Sequence, residues 1–339
     1  MIELFENISR RCAAGERVAL CTVIDARGST PQVRGARMLV TAAGQVMGTL
    51  GGGCVEAEVR QRAMTMLLGD PDQAATSEPM SFRLDHDHGW DDGMWCGGIL
   101  DVHVERLGGE ADARRFAGVV DDLRAGRPAT VTIAAVGFSE TIEPSPLLVI
   151  AGAGHVAGAV APLAVGLGFA VTVVDDRPDV LSPLRFAGCT LVCGTIDLEL
   201  KNLPINERTF VVVVTRGHHR DAAAIAAVID SPARYIGMIG SKRKVRTILG
   251  QLAAEGVSRE RLAAVHAPIG LEIGAVTVEE IAVSIVAELI AVRRGEAKPG
   301  DAMKLSRGEL DVWVDRDALA NDAAQRRAHV PSPGTPGKG

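Results

Sequence analysis

The chain has 339 residues, 47% of them hydrophobic and 23% charged, with a formal net charge of −6. That length and balance fit a globular protein with core enough for two domains. The negative charge argues against a nucleic-acid surface, and an aromatic content of 3% leaves little material for base-stacking platforms.

The chain opens with Ile2, Phe5, Ile8 and Cys12 at helical spacing, so a helix is expected over Ile2–Cys12. Arg17–Asp25 reads as a strand and Ala26–Gly35 as a loop. Arg37–Thr41 and Gln45–Leu50 flank the turn Ala42-Ala43-Gly44 and read as a β-hairpin. Gly51-Gly52-Gly53-Cys54 leads into a helix over Val55–Leu68. Met80–Leu84 and Ile99–Arg106 are expected strands, separated by the acidic loop Asp85–Gly93 and by Cys96-Gly97-Gly98. A helix near Ala111–Leu123 and a strand near Ala129–Val136 follow. Gly137–Pro146, with two prolines, reads as the linker between domains.

Leu147–Val174 then carries no Asp, Glu, Lys or Arg. Its glycines and Pro162 break it into strand, turn, helix and strand, which excludes one uninterrupted membrane helix. The turn is G-x-G-x-x-A at Gly152, Gly154 and Ala157, and the second strand ends in Asp175 and Asp176. This is the dinucleotide-binding pattern in its expected context, with an anion site at the helix N-terminus near His155 and an acid placed for a ribose. A βαβ unit with purely structural glycines is the competing reading. Pro162 should kink or shorten the helix. Further strands are expected at Thr190–Cys193, Phe210–Thr215 and Tyr235–Ile239, and helices over Ala222–Ile229 and Lys242–Ala254. Thr277 to Glu280 is a capping box for a helix running to Arg294. The expected class is therefore α/β, an amino-terminal α+β domain over 1–140 followed by a Rossmann-like, doubly wound parallel sheet over 146–295. An extension over 296–339 is expected to be disordered from about residue 321.

Two groups of residues could carry chemistry. Cys54 follows three glycines at a helix start, where a thiolate is stabilised and backbone can approach a ligand closely. With Cys96 and its glycines it could make a soft-ligand site for a metal-bearing cofactor; each cysteine acting only as a small buried hydrophobe in a tight turn is the competing reading. A zinc site from Cys54, His86, His88 and Cys96 is the weaker reading, since the spacing matches no ribbon or finger. The other cysteines, Cys12, Cys21, Cys189 and Cys193, are expected in the core. The second group lies past the carboxyl ends of the later strands. His218 and Asp221 could pair there, and Ser241 and Lys242 open a helix that could hold an anion. Asp221 and Ser241 acting only as helix caps is the competing reading.

The order of GTLGGGC at Gly48–Cys54, CGG at Cys96–Gly98, GAGHVA at Gly152–Ala157 and VVDDRP at Val173–Pro178 resembles the XdhC/CoxI family. TRGHHRD at Thr215–Asp221, GMIGSKRK at Gly237–Lys244 and HAPIGLEIGA at His266–Ala275 extend the likeness to both domains. The resemblance implies an accessory protein that binds molybdenum cofactor (molybdopterin) and passes it to an apo-molybdenum hydroxylase of the xanthine dehydrogenase or carbon monoxide dehydrogenase type. A cysteine desulfurase partner and a homodimer are implied with it. The cofactor-associated cysteines map onto Cys54 and Cys96, and no catalytic base is evident. The candidate cofactor-binding set is thus Gly51, Gly52, Gly53, Cys54, Cys96, Gly97 and Gly98 in the first domain. In the second it is Gly152, Gly154, His155, Asp175, His218, Asp221, Ser241 and Lys242. The alternative is an NAD(P)-dependent oxidoreductase, with the nucleotide on Gly152–Ala157 and His218 as acid/base. No signal-like opening is visible, so the cytoplasm is the expected compartment.

Overall fold

A computed structural model describes residues 1–70, 76–84 and 97–295. The expected extension over 296–339 therefore lies outside the described residues. The chain divides into two units, Met1–Pro144 and Ser145–Gly339.

The first unit is built on a five-stranded antiparallel sheet of order β3-β2-β1-β5-β4. Its strands are β1 (Val18–Arg27), β2 (Arg37–Thr41), β3 (Val46–Gly48), β4 (Ser77–Arg83) and β5 (Ile99–Leu107). Side chains alternate across the pleat, so β1 feeds two cores. Ala19, Cys21 and Val23 pack with α2 (Gly53–Leu68) on one face. Val18 and Leu20 pack with α1 (Ile2–Ala13) and α3 (Gly109–Arg124) on the other, where Phe5 stacks on Phe116 at 5.6 Å. Helix α1 buries Leu4, Phe5, Ile8 and Cys12, one stripe of its surface.

The strand β6 (Ala129–Ile133) pairs with β7 (Phe138–Ile142), which corrects the linker reading of Gly137–Pro146. Phe138 is buried, and the alternation Phe138-Ser139-Glu140-Thr141-Ile142 is a strand period masked in the sequence by the prolines just beyond it.

The second unit is a parallel sheet of order β10-β9-β8-β11-β12. Its strands are β8 (Leu147–Ala151), β9 (Ala170–Asp175), β10 (Thr190–Cys193), β11 (Thr209–Val213) and β12 (Tyr235–Met238). Helices cover both faces, as the continuous apolar runs of β8 and β11 require. They are α4 (His155–Gly166), α5 (Ile196–Asn202), α6 (His218–Val228), α7 (Lys242–Ala254), α8 (Arg259–Ala263) and α9 (Val278–Arg294). The chain reverses direction of growth between β8 and β11, the switch point at which such sheets bind ligands.

Helix α4 runs through Pro162 instead of ending there. Pro162 lies on the exposed side, where water can satisfy the Gly158 carbonyl that loses its donor. The capping box at Thr277 and Glu280 forms as expected. Cys12 and Cys21 are buried as expected, but Cys193 is exposed, because β10 is an edge strand.

Candidate functional site

In the first unit one loop gathers both glycine motifs. β1 ends at Arg27 opposite Ile99, so the residues before β5 lie beside those after β1. Ser29 bridges Gly97. A Cβ on Gly98 would stand 2.2 Å from the Ser29 carbonyl oxygen and 2.8 Å from that of Arg27. Two residues on, Pro31 meets the other motif: a Cβ on Gly51 would stand 2.5 Å from Pro31 Cβ. The loop after β1 therefore touches Gly97 and Gly98 through Gly28 and Ser29, and Gly51 through Pro31.

Gly51, Gly52 and Gly53 have φ of 108°, 78° and 65°, a left-handed run that side chains rarely adopt. The run is held by Glu56. Its Oε2 accepts from Leu50 N and Gly52 N, both at 3.0 Å, and from Thr49 Oγ1 at 2.7 Å. Burial works to raise the pKa of Glu56, but these hydrogen bonds outweigh it and hold the carboxyl below its ordinary range. Cys54 follows in the first turn of α2 and is exposed. Nothing lies within 4 Å of a Cβ built on Gly52 or Gly97, so backbone at both motifs is open to a neighbouring group. Cys96, His86 and His88 lie outside the described residues. Among the described residues no cluster of three His, Cys, Asp or Glu could hold a metal ion.

In the second unit the candidates collect at the carboxyl ends of the strands. Gly152 has φ 106°, and its Cβ would stand 2.7 Å from the Val214 carbonyl oxygen, so this glycine serves the close packing of β8 against β11. Gly154 caps α4 over open space, and His155 beside it is exposed. Asp175 is turned inward. Its Oδ2 accepts from Ala153 N at 2.7 Å, and Arg177 grips both oxygens at 2.9 and 3.0 Å. Burial opposes ionisation of Asp175, yet the bonds from Arg177 and Ala153 hold its pKa below the usual range. Asp176 pairs with Arg220 at 2.8 Å. Arg185 donates to the carbonyls of Ala153 and Gly154 at 3.0 and 2.7 Å.

The expected His218–Asp221 pair is not formed. Asp221 is fully buried, accepting from Thr215 N at 3.2 Å and Thr215 Oγ1 at 2.6 Å, and Lys244 pairs with its other oxygen. His218 stays at the surface, its ring 4.0 Å from that of His219. The fully desolvated carboxylate takes the nearest cation and hydroxyl, and helix α6 begins at His218, earlier than the sequence suggested. Ser241 caps α7 by accepting from Lys244 N at 3.3 Å, while Lys242 is exposed.

Sequence reasoning missed three participants. Ser29 and Pro31 lie in a loop recognised only by its turn residues, and their partners are set by the β1–β5 pairing. Glu288 is the third. It is fully buried in α9 and accepts from Gly270 N at 2.8 Å and from Tyr235 OH. His266 Nδ1 lies 3.3 Å from its other oxygen. An acid on the apolar face of an otherwise hydrophobic helix was the available signal.

The family model of the XdhC Rossmann domain matches residues 148–289, and that of the XdhC and CoxI family matches residues 11–75. The uncharacterized protein YqeB of Escherichia coli is 32% identical over 317 residues, covering 92% of this chain and 50% of that relative. The chain thus spans about half the length of YqeB. A probable xanthine dehydrogenase subunit of Bacillus subtilis is 29% identical over 321 residues, covering 82% of this chain and 94% of the relative. The molybdenum cofactor insertion chaperone PaoD of Escherichia coli is 24% identical over 299 residues, covering 83% and 85%. A solved Bacillus halodurans structure, described as a xanthine dehydrogenase, superposes with a TM-score of 0.75 at 24% identity, covering 88% of this chain and 96% of that one. It shares the fold. Matched in both of its units, the chain belongs to the XdhC and CoxI family.

Proposed function

We propose that the protein is an accessory factor for molybdenum enzymes, which binds molybdenum cofactor and delivers it to an apo-hydroxylase. The observation that carries this reading is the gathering of Gly51 and of Gly97 and Gly98 on the one loop holding Ser29 and Pro31, with exposed Cys54 at the start of α2. The open backbone at Gly52 and Gly97 suits a group that must come close to the main chain. A thiolate is a soft donor suited to molybdenum or its sulfur, and a helix start favours the thiolate form. When bound, the cofactor supplies the metal and its sulfur. The chain's residues position it and shield it. The names of the Bacillus subtilis relative and of PaoD point the same way. A cysteine desulfurase partner, a homodimer and a cytoplasmic setting belong to the same proposal. Among the described residues no helix is long and apolar enough to cross a membrane.

The NAD(P) reading is less well supported. Both acids at the tip of β9 are committed, Asp175 to Ala153 and Arg177 and Asp176 to Arg220, so neither offers free oxygens to a ribose. The test is titration of the purified protein with isolated molybdenum cofactor and, separately, with NAD(P)H, followed by fluorescence. Saturable cofactor binding with activation of an apo-hydroxylase is expected. Tight nicotinamide binding with hydride transfer would overturn the proposal.

A further inference from the structure

Helices α4 and α9 lie side by side in the second unit and run in the same direction. At their amino-terminal ends His155 and Ala159 share one concavity with Val278 and Glu279. At their carboxyl-terminal ends Arg293 donates to the Leu167 carbonyl at 2.9 Å. Their inward sides fill one core, with Ala157, Val160 and Ala164 beside Ile285 and Leu289. Their outward sides are apolar as well. Helix α4 holds no Asp, Glu, Lys or Arg, and it exposes Pro162, Leu163, Gly166 and Leu167. Leu163 and Leu167 are each 40% exposed, and on α9 Val283 is 51% and Ile290 37% exposed. A surface helix of a globular protein ordinarily turns charged residues to water. A contiguous exposed apolar face marks an interaction surface.

The end charges of α9 say what fits this face. Glu279 and Glu280 stand in its first turn, Arg293 and Arg294 in its last. Glu280 closes the capping box, while Arg293 is held by the Leu167 carbonyl and lies over the Phe169 ring. Glu279 and Arg294 are exposed, and among the described residues their side chains make no hydrogen bond or ion pair. Glu279, Val283, Ala287, Ile290 and Arg294 recur at intervals of three or four residues, one stripe along the helix. The stripe is symmetric about a point between Val286 and Ala287. Val283 and Ile290 stand equally far from that point, and so do Glu279 and Arg294. With acid at one end, base at the other and apolar residues between, the stripe is complementary to itself turned end for end.

We propose that this face binds a second copy of the chain, with α9 lying antiparallel on the partner's α9 about a two-fold axis through the middle of the helix. In such an isologous contact residue i meets j and j meets i. Val283 then packs on the partner subunit's Ile290, and Glu279 faces the partner subunit's Arg294, each contact occurring twice. A parallel pairing would set acid on acid and base on base. Leu163 and Leu167 of α4 widen the apolar area beside the stripe. The ion pairs at the rim fix register and orientation more than affinity. The homodimer belongs to the accessory-factor reading; the surface and its register go beyond it and rest on α4 and α9 alone, without Cys54 or the glycine motifs.

The experiment uses the full-length protein without cofactor, followed by sedimentation equilibrium. The wild type should be dimeric at micromolar concentration. Val283→Asp, a change at an exposed position of the single chain, should weaken the dimer by about a hundredfold or more and leave the circular dichroism spectrum unchanged. Glu279→Arg should weaken it by about fivefold, and adding Arg294→Glu should recover most of that loss. Glu279→Cys combined with Arg294→Cys should give, on oxidation, a disulfide joining position 279 of one chain to position 294 of the other. The two positions lie about 22 Å apart within one helix, too far to join inside a chain. Peptide mapping separates this linkage from any through Cys54 or Cys193, which are exposed. A wild type that stays monomeric through the micromolar range would overturn the proposal. A lower melting temperature of Val283→Asp would then mean that the chain covers the face with its own residues, and an unchanged one that the face is left to a different protein. A dimer that Val283→Asp leaves intact, that the second charge change does not recover, or that forms no linkage between positions 279 and 294 would overturn it as well. Cofactor titration of the Val283 variant reports on the accessory-factor reading separately, so either can fail while the other stands.

Discussion

The Ser29 carbonyl oxygen stands 2.2 Å from where Gly98 would carry a Cβ, so the loop after β1 and the start of β5 touch through backbone alone. Any side chain at position 98 must drive them apart. Gly98→Ala should destabilise the protein by about 1–3 kcal/mol, the usual range for overpacking. It should also weaken cofactor loading by moving Ser29 and Pro31 together. Urea unfolding and cofactor titration of the same sample check both; a loss of stability with normal loading would detach the loop from the cofactor site.

Cys54 is exposed at a helix start, whereas burial pushes the Cys12 thiol up to about 11 and the Cys21 thiol to about 12. At neutral pH, iodoacetamide should label Cys54 well before either of them, and bound cofactor should slow that labelling. Cys54→Ala should change stability by less than about 0.5 kcal/mol, as expected at the surface, and should lose most of the cofactor binding. Mass-spectrometric peptide mapping with and without cofactor measures the first effect and calorimetry the second.

Asp221 is 0% exposed and its charge is met by Lys244. Lys244→Met leaves that carboxylate buried without its cation and should cost about 3–5 kcal/mol. Asp221→Asn combined with Lys244→Met removes both charges and should recover much of the loss. Equal instability of the single and double variants in chemical denaturation would show that the pair contributes through packing instead of charge.

Burial opposes the charge on Glu288, but bonds from His266, Tyr235 and Gly270 hold its pKa below the ordinary carboxylate value. The folded state therefore releases this proton at lower pH than the unfolded chain. The resulting stability is full above the unfolded value, about 4.3, and is lost as pH falls through the lowered folded value. Glu288→Gln should be less stable than the wild type at pH 7, and the gap should narrow toward pH 3. Unfolding free energies across that interval test this; a gap independent of pH would assign the loss to the altered hydrogen bonds.

Much of this architecture is legible in the sequence because its signals are local. Apolar runs of five or six residues, the G-x-G-x-x-A turn and the Thr277–Glu280 capping box each act within one or two elements. Ser29 meeting Gly97 is not legible, because strand pairing joins residues distant in sequence. The inward turn of Asp175 is hidden for a related reason. Its position at the end of β9 is readable, but its choice of Arg177 over an incoming sugar depends on backbone geometry at the turn. Two nearby prolines obscure the clean alternation of Phe138–Ile142. Helix α5, seven residues long, is too short to leave a periodic trace.

The grip of Asp175 on Ala153, with Arg185 on the carbonyls of Ala153 and Gly154, bears on how tightly the second unit could hold any partner molecule. The turn is fixed from below by an acid and from the side by a guanidinium. Its conformational entropy has already been surrendered during folding. A molecule arriving at the start of α4 would meet a finished socket, and its intrinsic affinity would not be reduced by the ordering of a loose loop. Association there should accordingly be a single fast step, without the slow phase that accompanies a rearrangement.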